Sequence, residues 1–356
     1  MNCTFRNKKI SSIISVLPKQ EYRFDDEIDN YKLTPDKAKR LKKMMGLDRH
    51  RIAPPEVCSS DLCLYGLEKL LLDGALKKSD IGAIIFISQT PDYFLPATSN
   101  VIHGKLGLGH DVICLDINQG CTGFLIGLME AFLLLEMENC KKVVLLNGDT
   151  ASKQVDKHNR ISYPLVGDAG SVTVIERSEH ENPICMSLKN DGSRHQALMI
   201  PGGAYRIPSS PDTLKLEEVE EGLVRSPSQI HMDGAAIFHF TIEDVPPQIE
   251  EILAYSNSSK QSIETFLFHQ PNEFILKQIA EKLKVPPDKF PTNIVGLYGN
   301  CSSVSIPLNI THNCGAQLEQ TARRACLASF GVGLTWCSMV MDLGPLDVCK
   351  TVDYEA

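Results

Sequence analysis

Three short segments of the chain contain side chains that could carry out nucleophilic chemistry. In the first, DINQGCTGF (Asp116–Phe124), Gly120 permits a turn and Cys121 opens a mostly apolar helix. A thiol at that position faces unpaired backbone N–H groups and the positive end of the helix dipole, and both favour the thiolate. The segment therefore predicts a nucleophilic Cys121. The alternative is an inert cysteine that packs in the core.

His269 and Asn300 are the candidate partners of this cysteine. FHQPN (Phe268–Asn272) places His269 where a second buried strand ends, and YGNCSS (Tyr298–Ser303) places Asn300 on a glycine-containing turn before a helix. Open α/β sheets bind ligands at such strand ends. Taken singly, each residue is more often a hydrogen-bonded structural residue. The hypothesis therefore requires two halves of the fold that face each other.

The elements that must position Cys121 are predicted from the pattern of apolar residues. Three short apolar runs indicate buried strands, at Ile81–Ser88, Val112–Ile117 and Val143–Asn147. Apolar residues at helical spacing predict a helix over Cys121–Asn139. Strand, helix and strand together form a βαβ unit with parallel strands.

A similar order of elements follows in the second half of the chain. The predicted elements are a buried strand at Thr265–His269, a helix at Pro271–Lys284, a helix from Ser302 and an apolar run at Leu334–Val340. We therefore predict an α/β protein with two similar halves, residues 1–178 and 179–356. The polar segment Glu176–Pro183 is the predicted join.

Composition limits the class of function. The net charge of −8 and the pI near 5.7 argue against broad nucleic-acid binding, which needs a basic surface. No apolar run approaches the roughly 20 residues that span a bilayer, and Met1–Ile10 is polar, so we expect a cytoplasmic protein. Cys58 and Cys63 have no matching Cys or His pair nearby, so we expect no metal site.

The segment Pro201–Ile230 is rich in Pro, Ser and Glu and has no clear period. Such a segment is typical of a long surface loop between two elements. Two interpretations stay open at this point: a solvated loop, or a rim around the entrance to the active site.

Four motifs in one order resemble the ketoacyl synthase III branch of the thiolase-fold condensing enzymes. The motifs are Cys121-Thr122-Gly123-Phe124, His269-Gln270-Pro271-Asn272, Gly299-Asn300-Cys301-Ser302 and Phe330-Gly331-Val332-Gly333-Leu334-Thr335-Trp336. The resemblance extends from about Ile52 to the C-terminus. It implies a thiolase-like fold with α-β-α-β-α layers, and a homodimer.

The resemblance also implies a reaction in two halves. Cys121 would accept an acyl group from a thioester, with the backbone N–H groups of Cys121 and Val332 as the oxyanion hole. His269 and Asn300 would then assist decarboxylative condensation with a malonyl thioester, in fatty-acid or secondary-metabolite biosynthesis. The implied substrates are acyl-CoA or acyl-ACP (acyl carrier protein) and malonyl-ACP, and no metal or redox cofactor is needed.

Several substrate-binding residues follow only from the resemblance. Arg160 matches a phosphate-contacting arginine, and Gly234 and Asn272 match positions that line the phosphopantetheine arm. Phe238 is a further predicted substrate-binding residue. Leu95 stands where a phenylalanine often closes the acyl pocket from the partner subunit.

This chain also departs from the family pattern. Arg40 and Met44 replace the tryptophan and arginine that hold the adenine of coenzyme A, and Phe274 replaces a carrier-docking arginine. The basic residues near Phe274 are Lys277, Lys282 and Lys284.

Two other functions remain compatible with these residues. One is an acyltransferase that moves the acyl group to an oxygen or nitrogen without decarboxylation, because the same three side chains can serve both reactions. The other is an inactive, dimeric acyl-binding subunit, which the intact Cys121, His269 and Asn300 argue against.

Overall fold

Two mixed β-sheets form the framework of the protein, for which a computed structural model describes residues 1–355. The strands are β1 (Asn2–Phe5), β2 (Lys8–Leu17), β3 (Glu21–Arg23), β4 (Arg49–Arg51), β5 (Ile81–Ile87), β6 (Ile113–Ile117), β7 (Lys142–Asp149), β8 (Ala169–Arg177), β9 (Ile184–Asn190), β10 (Leu198–Met199), β11 (Glu217–Glu220), β12 (Leu223–Arg225), β13 (His231–Met232), β14 (Thr265–Phe268), β15 (Arg323–Gly331), β16 (Thr335–Leu343) and β17 (Val348–Asp353). The helices are α1 (Pro35–Met45), α2 (Ser59–Leu72), α3 (Thr98–Leu106), α4 (Gly123–Leu134), α5 (Pro211–Leu214), α6 (Gly234–Glu243), α7 (Val245–Tyr255), α8 (Glu273–Leu283), α9 (Ile294–Tyr298), α10 (Ser305–Asn313) and α11 (Gly315–Leu318).

The first sheet has the strand order β17-β2-β8-β7-β5-β6, and the second has the order β1-β9-β16-β15-β14. Strands β6 and β7 both pair in parallel with β5, which lies between them, so the predicted βαβ unit is confirmed. The sheets exchange their terminal strands, because β1 joins the second sheet and β17 joins the first. The proposed division at residue 178 stays a prediction.

Five layers result from the burial of apolar faces. Helices α4 and α10 lie between the sheets, α2 and α3 cover the outer face of the first sheet, and α6, α7 and α8 cover the outer face of the second. Because α4 is covered on both sides, its sequence GFLIGLMEAFLL is apolar almost all round. The predicted α-β-α-β-α architecture is confirmed.

Two glycines let α4 approach the first sheet closely. A Cβ atom on Gly127 would lie 2.5 Å from Leu145 Cδ1 and 2.6 Å from Ile87 Cδ1. A Cβ atom on Gly123 would lie 2.5 Å from Ile87 Cγ2. The close approach fixes the start of α4, and with it the turn that carries Cys121.

Three details of the predicted elements were wrong. Val112–Ile117 was expected to be fully buried, but β6 is an edge strand with Ile113 and Leu115 partly exposed. Helix α4 begins at Gly123 and ends at Leu134, so it is shorter at both ends than the predicted helix over Cys121–Asn139. Helix α8 begins at Glu273 with Asn272 as its N-cap, so Pro271 precedes the cap. No helix between residues 1 and 355 is both long and apolar enough to cross a membrane.

Candidate active site

A cavity of about 700 Å³ lies where strands of both sheets end. Cys121, Asn300 and Val332 all line it, so three of the predicted site residues from separate segments converge. Its wall also includes polar side chains from both halves of the chain, namely Gln89, Asn118, Asp149, Gln154, Ser162, His195, Ser228 and Ser302.

Cys121 lies in the turn that leads into α4, beside the turn between β15 and β16. Only a glycine fits opposite it, because a Cβ atom on Gly331 would lie 2.8 Å from Cys121 Sγ. The backbone N–H groups of Cys121 and Val332 face the sulfur and lower its pKa, but burial outweighs them and raises the pKa to about 12. The nearby Asp149 raises it further. The N–H groups therefore favour the thiolate as predicted, but desolvation exceeds their effect, a contribution that the sequence reasoning left out.

His269 follows directly after β14 and is almost completely buried. Its backbone N–H donates to Ala328 O (2.8 Å), Nδ1 is hydrogen-bonded to Ser305 Oγ (2.6 Å), and its ring packs edge-on against Phe330. Burial lowers the pKa of His269 to about 3, which keeps the imidazole neutral at neutral pH.

Asn300 is fixed by the close crossing of two glycine-containing segments. Gly299 adopts a positive φ of 82°, and a Cβ atom there would lie 2.8 Å from Gly167 Cα. The backbone N–H of Asn300 donates to Leu165 O (2.6 Å), and its carbonyl accepts from Gly167 N (3.1 Å). Asn300 Oδ1 accepts from Ser302 N (3.0 Å), so the side-chain Nδ2 remains available as a donor at the cavity.

Asp149 is a buried site residue that the sequence reasoning missed. Its Oδ1 accepts from Gln89 N (2.7 Å) and Ser88 Oγ (3.2 Å). Asp149 Oδ2 forms no hydrogen bond within residues 1–355. Burial raises the pKa of Asp149 to about 6. The sequence could have indicated Asp149 as a site residue, because it is the last residue of a buried strand and His269 was predicted from the same kind of position.

Comparison with known proteins agrees with this geometry. Residues 115–192 match the model of the 3-oxoacyl-[acyl-carrier-protein (ACP)] synthase III family, and residues 253–343 match the model of its C-terminal region. A protein of Campylobacter jejuni, named provisionally as a 3-oxoacyl-[acyl-carrier-protein] synthase 3, is 34% identical over 349 residues, which are 97% of each chain. The chain belongs to the 3-oxoacyl-[acyl-carrier-protein] synthase III family.

Further relatives of this synthase III family cover most of the chain. A beta-ketoacyl-[acyl-carrier-protein] synthase III of Streptococcus uberis is 32% identical over 94% of this chain and 99% of its own. The crystal structure of a 3-oxoacyl-(acyl-carrier protein) synthase from Burkholderia xenovorans superposes with a TM-score of 0.92, at 34% identity and 99% coverage of both chains. The resemblance stated from the four motifs is confirmed, and the protein is an enzyme of the condensing type.

Arg160, the predicted phosphate-contacting residue, lies at a second, smaller cavity. This cavity has a volume of about 370 Å³ and is also lined by Arg40 and Met44, and Leu165 borders both cavities. Arg160 Nη1 donates to the backbone carbonyl of Glu221, and Nη2 lies 3.5 Å from Glu220 Oε2. A phosphate group would have to compete with these acceptors.

The other predicted substrate-binding residues of the synthase lie outside the described lining of the larger cavity. Gly234 is exposed at the start of α6, Phe238 stacks on Phe274 between α6 and α8, and Asn272 Oδ1 caps α8. Leu95 is 78% exposed. Their roles in substrate binding stay predictions.

The long segment Pro201–Ile230 contributes to the wall of the synthase cavity. Gly202–Ala204, Ser228 and Ile230 all line it. Part of the remainder forms the exposed β11–β12 hairpin. The interpretation as an active-site rim is therefore correct, and the segment is not only a solvated loop. Among residues 1–355, no group of three or more His, Cys, Asp or Glu side chains is arranged to hold a metal ion.

Proposed function

We propose that the protein catalyses decarboxylative condensation of an acyl group, held on Cys121, with a malonyl thioester. The observation that carries this proposal is the single cavity lined by Cys121, Val332 and Asn300, with a neutral, buried His269 at the end of the strand behind it. A nucleophile, backbone donors and side-chain hydrogen-bonding groups are the parts that two-step acyl transfer requires.

In the first half-reaction, the sulfur of Cys121 attacks the carbonyl carbon of an acyl thioester. The thiol proton leaves, the oxyanion accepts hydrogen bonds from the backbone N–H groups of Cys121 and Val332, and the carbon–sulfur bond to the carrier thiol breaks. As it departs, the carrier thiolate takes up the proton that Cys121 released. The N–H groups that face Cys121 Sγ in the free protein support this assignment.

In the second half-reaction, a malonyl thioester loses carbon dioxide as its bond to the carboxyl carbon breaks. His269 and Asn300 Nδ2 stabilise the negative charge that develops on the thioester oxygen. The enolate carbon then attacks the acyl carbonyl, and the bond to Cys121 breaks to release a 3-oxoacyl thioester. The departing Cys121 thiolate takes up one proton from water, which regenerates the thiol. Neutral donors suit this step because they stabilise the enolate without transferring a full proton to it.

We further propose that the thioester arm enters through the smaller cavity and is delivered by an acidic carrier protein that docks on α1. Helix α1 carries several exposed basic side chains along its length, whereas its sequence contains one acidic residue, Asp36. Lys37 and Arg40 line the smaller cavity, and Lys39 and Lys43 extend this basic face. In contrast, Lys277 and Lys282 of α8 pair with Glu273 and Glu243.

A homodimer is proposed from the resemblance and from the edge of the first sheet. Strand β6 pairs only with β5 within residues 1–355, and its apolar residues Ile113 and Leu115 are 37% and 36% exposed. An exposed apolar edge strand is a template for pairing with another chain. The cytoplasmic location stays a prediction.

The test of the condensing activity is the intact mass of the protein after incubation with acyl-CoA and acyl-carrier thioesters of different chain length. The wild type and Cys121→Ala are compared, and malonyl carrier is then added. An adduct that is absent from the variant, and that malonyl discharges as a 3-oxoacyl product with release of carbon dioxide, is the expected result. An adduct that malonyl cannot discharge would instead favour transfer to an oxygen or nitrogen acceptor. The absence of any adduct would favour the inactive subunit.

A further inference from the structure

A buried histidine outside the cavity contacts the segment that holds Asn300. His50 on β4 is 2% exposed. Its Nδ1 lies 2.7 Å from the carbonyl oxygen of Val166, and its Nε2 lies 3.0 Å from Glu27 Oε2. The Tyr31 hydroxyl donates to the same carboxylate oxygen (3.1 Å), and Tyr163 packs edge-on against the imidazole ring. Both ring nitrogens are therefore engaged.

The chemistry of these partners fixes the direction of one hydrogen bond. A backbone carbonyl can only accept, so Nδ1 must carry a proton and donate it to Val166 O. Glu27 Oε2 accepts from Tyr31 and lies beside Nε2, so the imidazole ring is held between Glu27 and Val166. His50 is therefore a fixed donor to Val166.

Val166 belongs to the short segment that forms hydrogen bonds to Asn300. Leu165 O and Gly167 N both bond to the backbone of Asn300, and Val166 forms a parallel bridge with it. The next residue, Asp168, donates its backbone N–H to Arg51 O (2.8 Å) on β4. Strand β4 is therefore hydrogen-bonded to Val166 and Asp168. Asn300 is hydrogen-bonded to Leu165 and Gly167 of the same segment.

We propose that His50, held by Glu27, is a positioning residue that sets the place of Asn300 in the cavity through the carbonyl of Val166. The inference rests on the proposed condensing function, because Asn300 acts in the decarboxylation half-reaction. His50 does not itself line the cavity, and its contact with the lining is the hydrogen bond to Val166 O. Its loss should therefore impair decarboxylation of the malonyl thioester more than acylation of Cys121.

Two substitutions of similar polarity separate the two hydrogen bonds of His50. The amide nitrogen of asparagine can take the place of Nδ1 and donate to Val166 O, whereas the longer glutamine places its amide near Nε2 and Glu27. Both are made with Glu27→Gln, so that no unpaired carboxylate is left buried. Glu176→Gln is the matched control, since it removes the partly buried pair with Lys142 at the opposite end of the first sheet.

The expected kinetic result is a split between the half-reactions. His50→Gln/Glu27→Gln should lower the rate of malonyl-carrier decarboxylation about tenfold or more, while the rate of Cys121 acylation changes less than about threefold. His50→Asn/Glu27→Gln should keep most of the decarboxylation rate. Equal losses of both half-reactions, or equal behaviour of the two double variants, would overturn the proposal.

Hydrogen exchange tests the linkage without relying on activity. The amides of Gly167 and Asn300 should exchange faster in His50→Gln/Glu27→Gln than in His50→Asn/Glu27→Gln, while the control variant matches the wild type. Unchanged exchange at both amides would overturn the positioning role. A second outcome separates the two proposals. If these amides exchange faster in His50→Gln/Glu27→Gln but the wild type does not decarboxylate malonyl carrier, the positioning role is supported and the proposed condensation is contradicted.

Discussion

Both reactive side chains are held in their neutral forms before substrate binds. Burial raises the pKa of Cys121 to about 12 and lowers that of His269 to about 3. A charged thiolate–imidazolium pair is therefore disfavoured in the free enzyme, because the surrounding protein solvates both charges poorly. Deprotonation of Cys121 is expected to accompany attack on the thioester.

Alkylation of Cys121 should show this raised pKa directly. With iodoacetamide and peptide mass spectrometry, the rate at Cys121 should rise about tenfold per pH unit up to at least pH 9. N-acetylcysteine in the same buffers serves as the reference for an ordinary thiol. A plateau of the Cys121 rate near pH 7 would contradict the desolvated thiol.

Stability in acid should depend in opposite ways on His269 and Asp149. His269 has a folded pKa of about 3, against about 6.5 when unfolded, so protons bind the unfolded state more tightly and stability falls as the pH falls through this range. Asp149 has a folded pKa of about 6, against about 3.9 when unfolded, so its contribution to stability rises as the pH falls.

Urea titrations between pH 6 and pH 4 measure these slopes. His269→Gln should make the loss of unfolding free energy with acidification shallower, and Asp149→Asn should make it steeper, each by roughly 1 kcal/mol per pH unit. If both variants changed the pH slope of the unfolding free energy in the same direction, one of the two pKa values would not be shifted by burial as described.

At the scale of the element, the tight contact of α4 with the first sheet should be sensitive to a single methyl group. Gly127→Ala should lower the free energy of unfolding by about 1–3 kcal/mol, because the new Cβ would overlap with Leu145 and Ile87. Gly104→Ala in α3 is the matched control, since no atom lies within 4 Å of its added Cβ. It should be neutral or stabilising by up to about 1 kcal/mol, and an equal loss in both variants would argue against overpacking.

The basic face of α1 can be tested with two donors that carry the same acyl group. Lys39→Glu/Lys43→Glu should lower kcat/KM about tenfold or more for the acyl carrier protein and leave the acyl-pantetheine thioester almost unaffected, because only the carrier meets the helix surface. Lys277→Glu/Lys284→Glu in and after α8 is the comparison. A larger loss for the α8 variant would place the docking surface there.

The sequence was sufficient to predict elements that have a strong local pattern of residues. It was insufficient for properties that depend on contacts with residues distant in the chain. The buried strands β5, β7 and β14 followed from apolar runs. His269 was predicted from the end of such a run, and Cys121 and Asn300 were predicted from glycine-containing turns that precede helices. The exposure of β6 did not, because an edge strand is set by the order of strands in the sheet. The pKa of Cys121 depends on burial between two halves of the chain, which no local pattern contains.

At the scale of the whole molecule, the unpaired edge of β6 predicts how two copies associate. Ile113→Lys/Leu115→Lys should convert a dimer to a monomer in sedimentation velocity, because charges on both exposed positions oppose edge pairing. Leu72→Lys is the control, since Leu72 is 86% exposed at the end of α2. A dimer that survives the β6 substitutions would show that association uses another surface.

The exchange of terminal strands has a consequence for synthesis on the ribosome. Strand β2 emerges early, but its neighbour β17 is made after almost the whole chain, where Val348 pairs with Ser12. Until then one edge of the nascent first sheet stays open, and such edges pair readily with other unfinished chains. The same long-range pairing makes completion of the sheet slow, so we expect the newly made polypeptide to depend on chaperones up to its last strand.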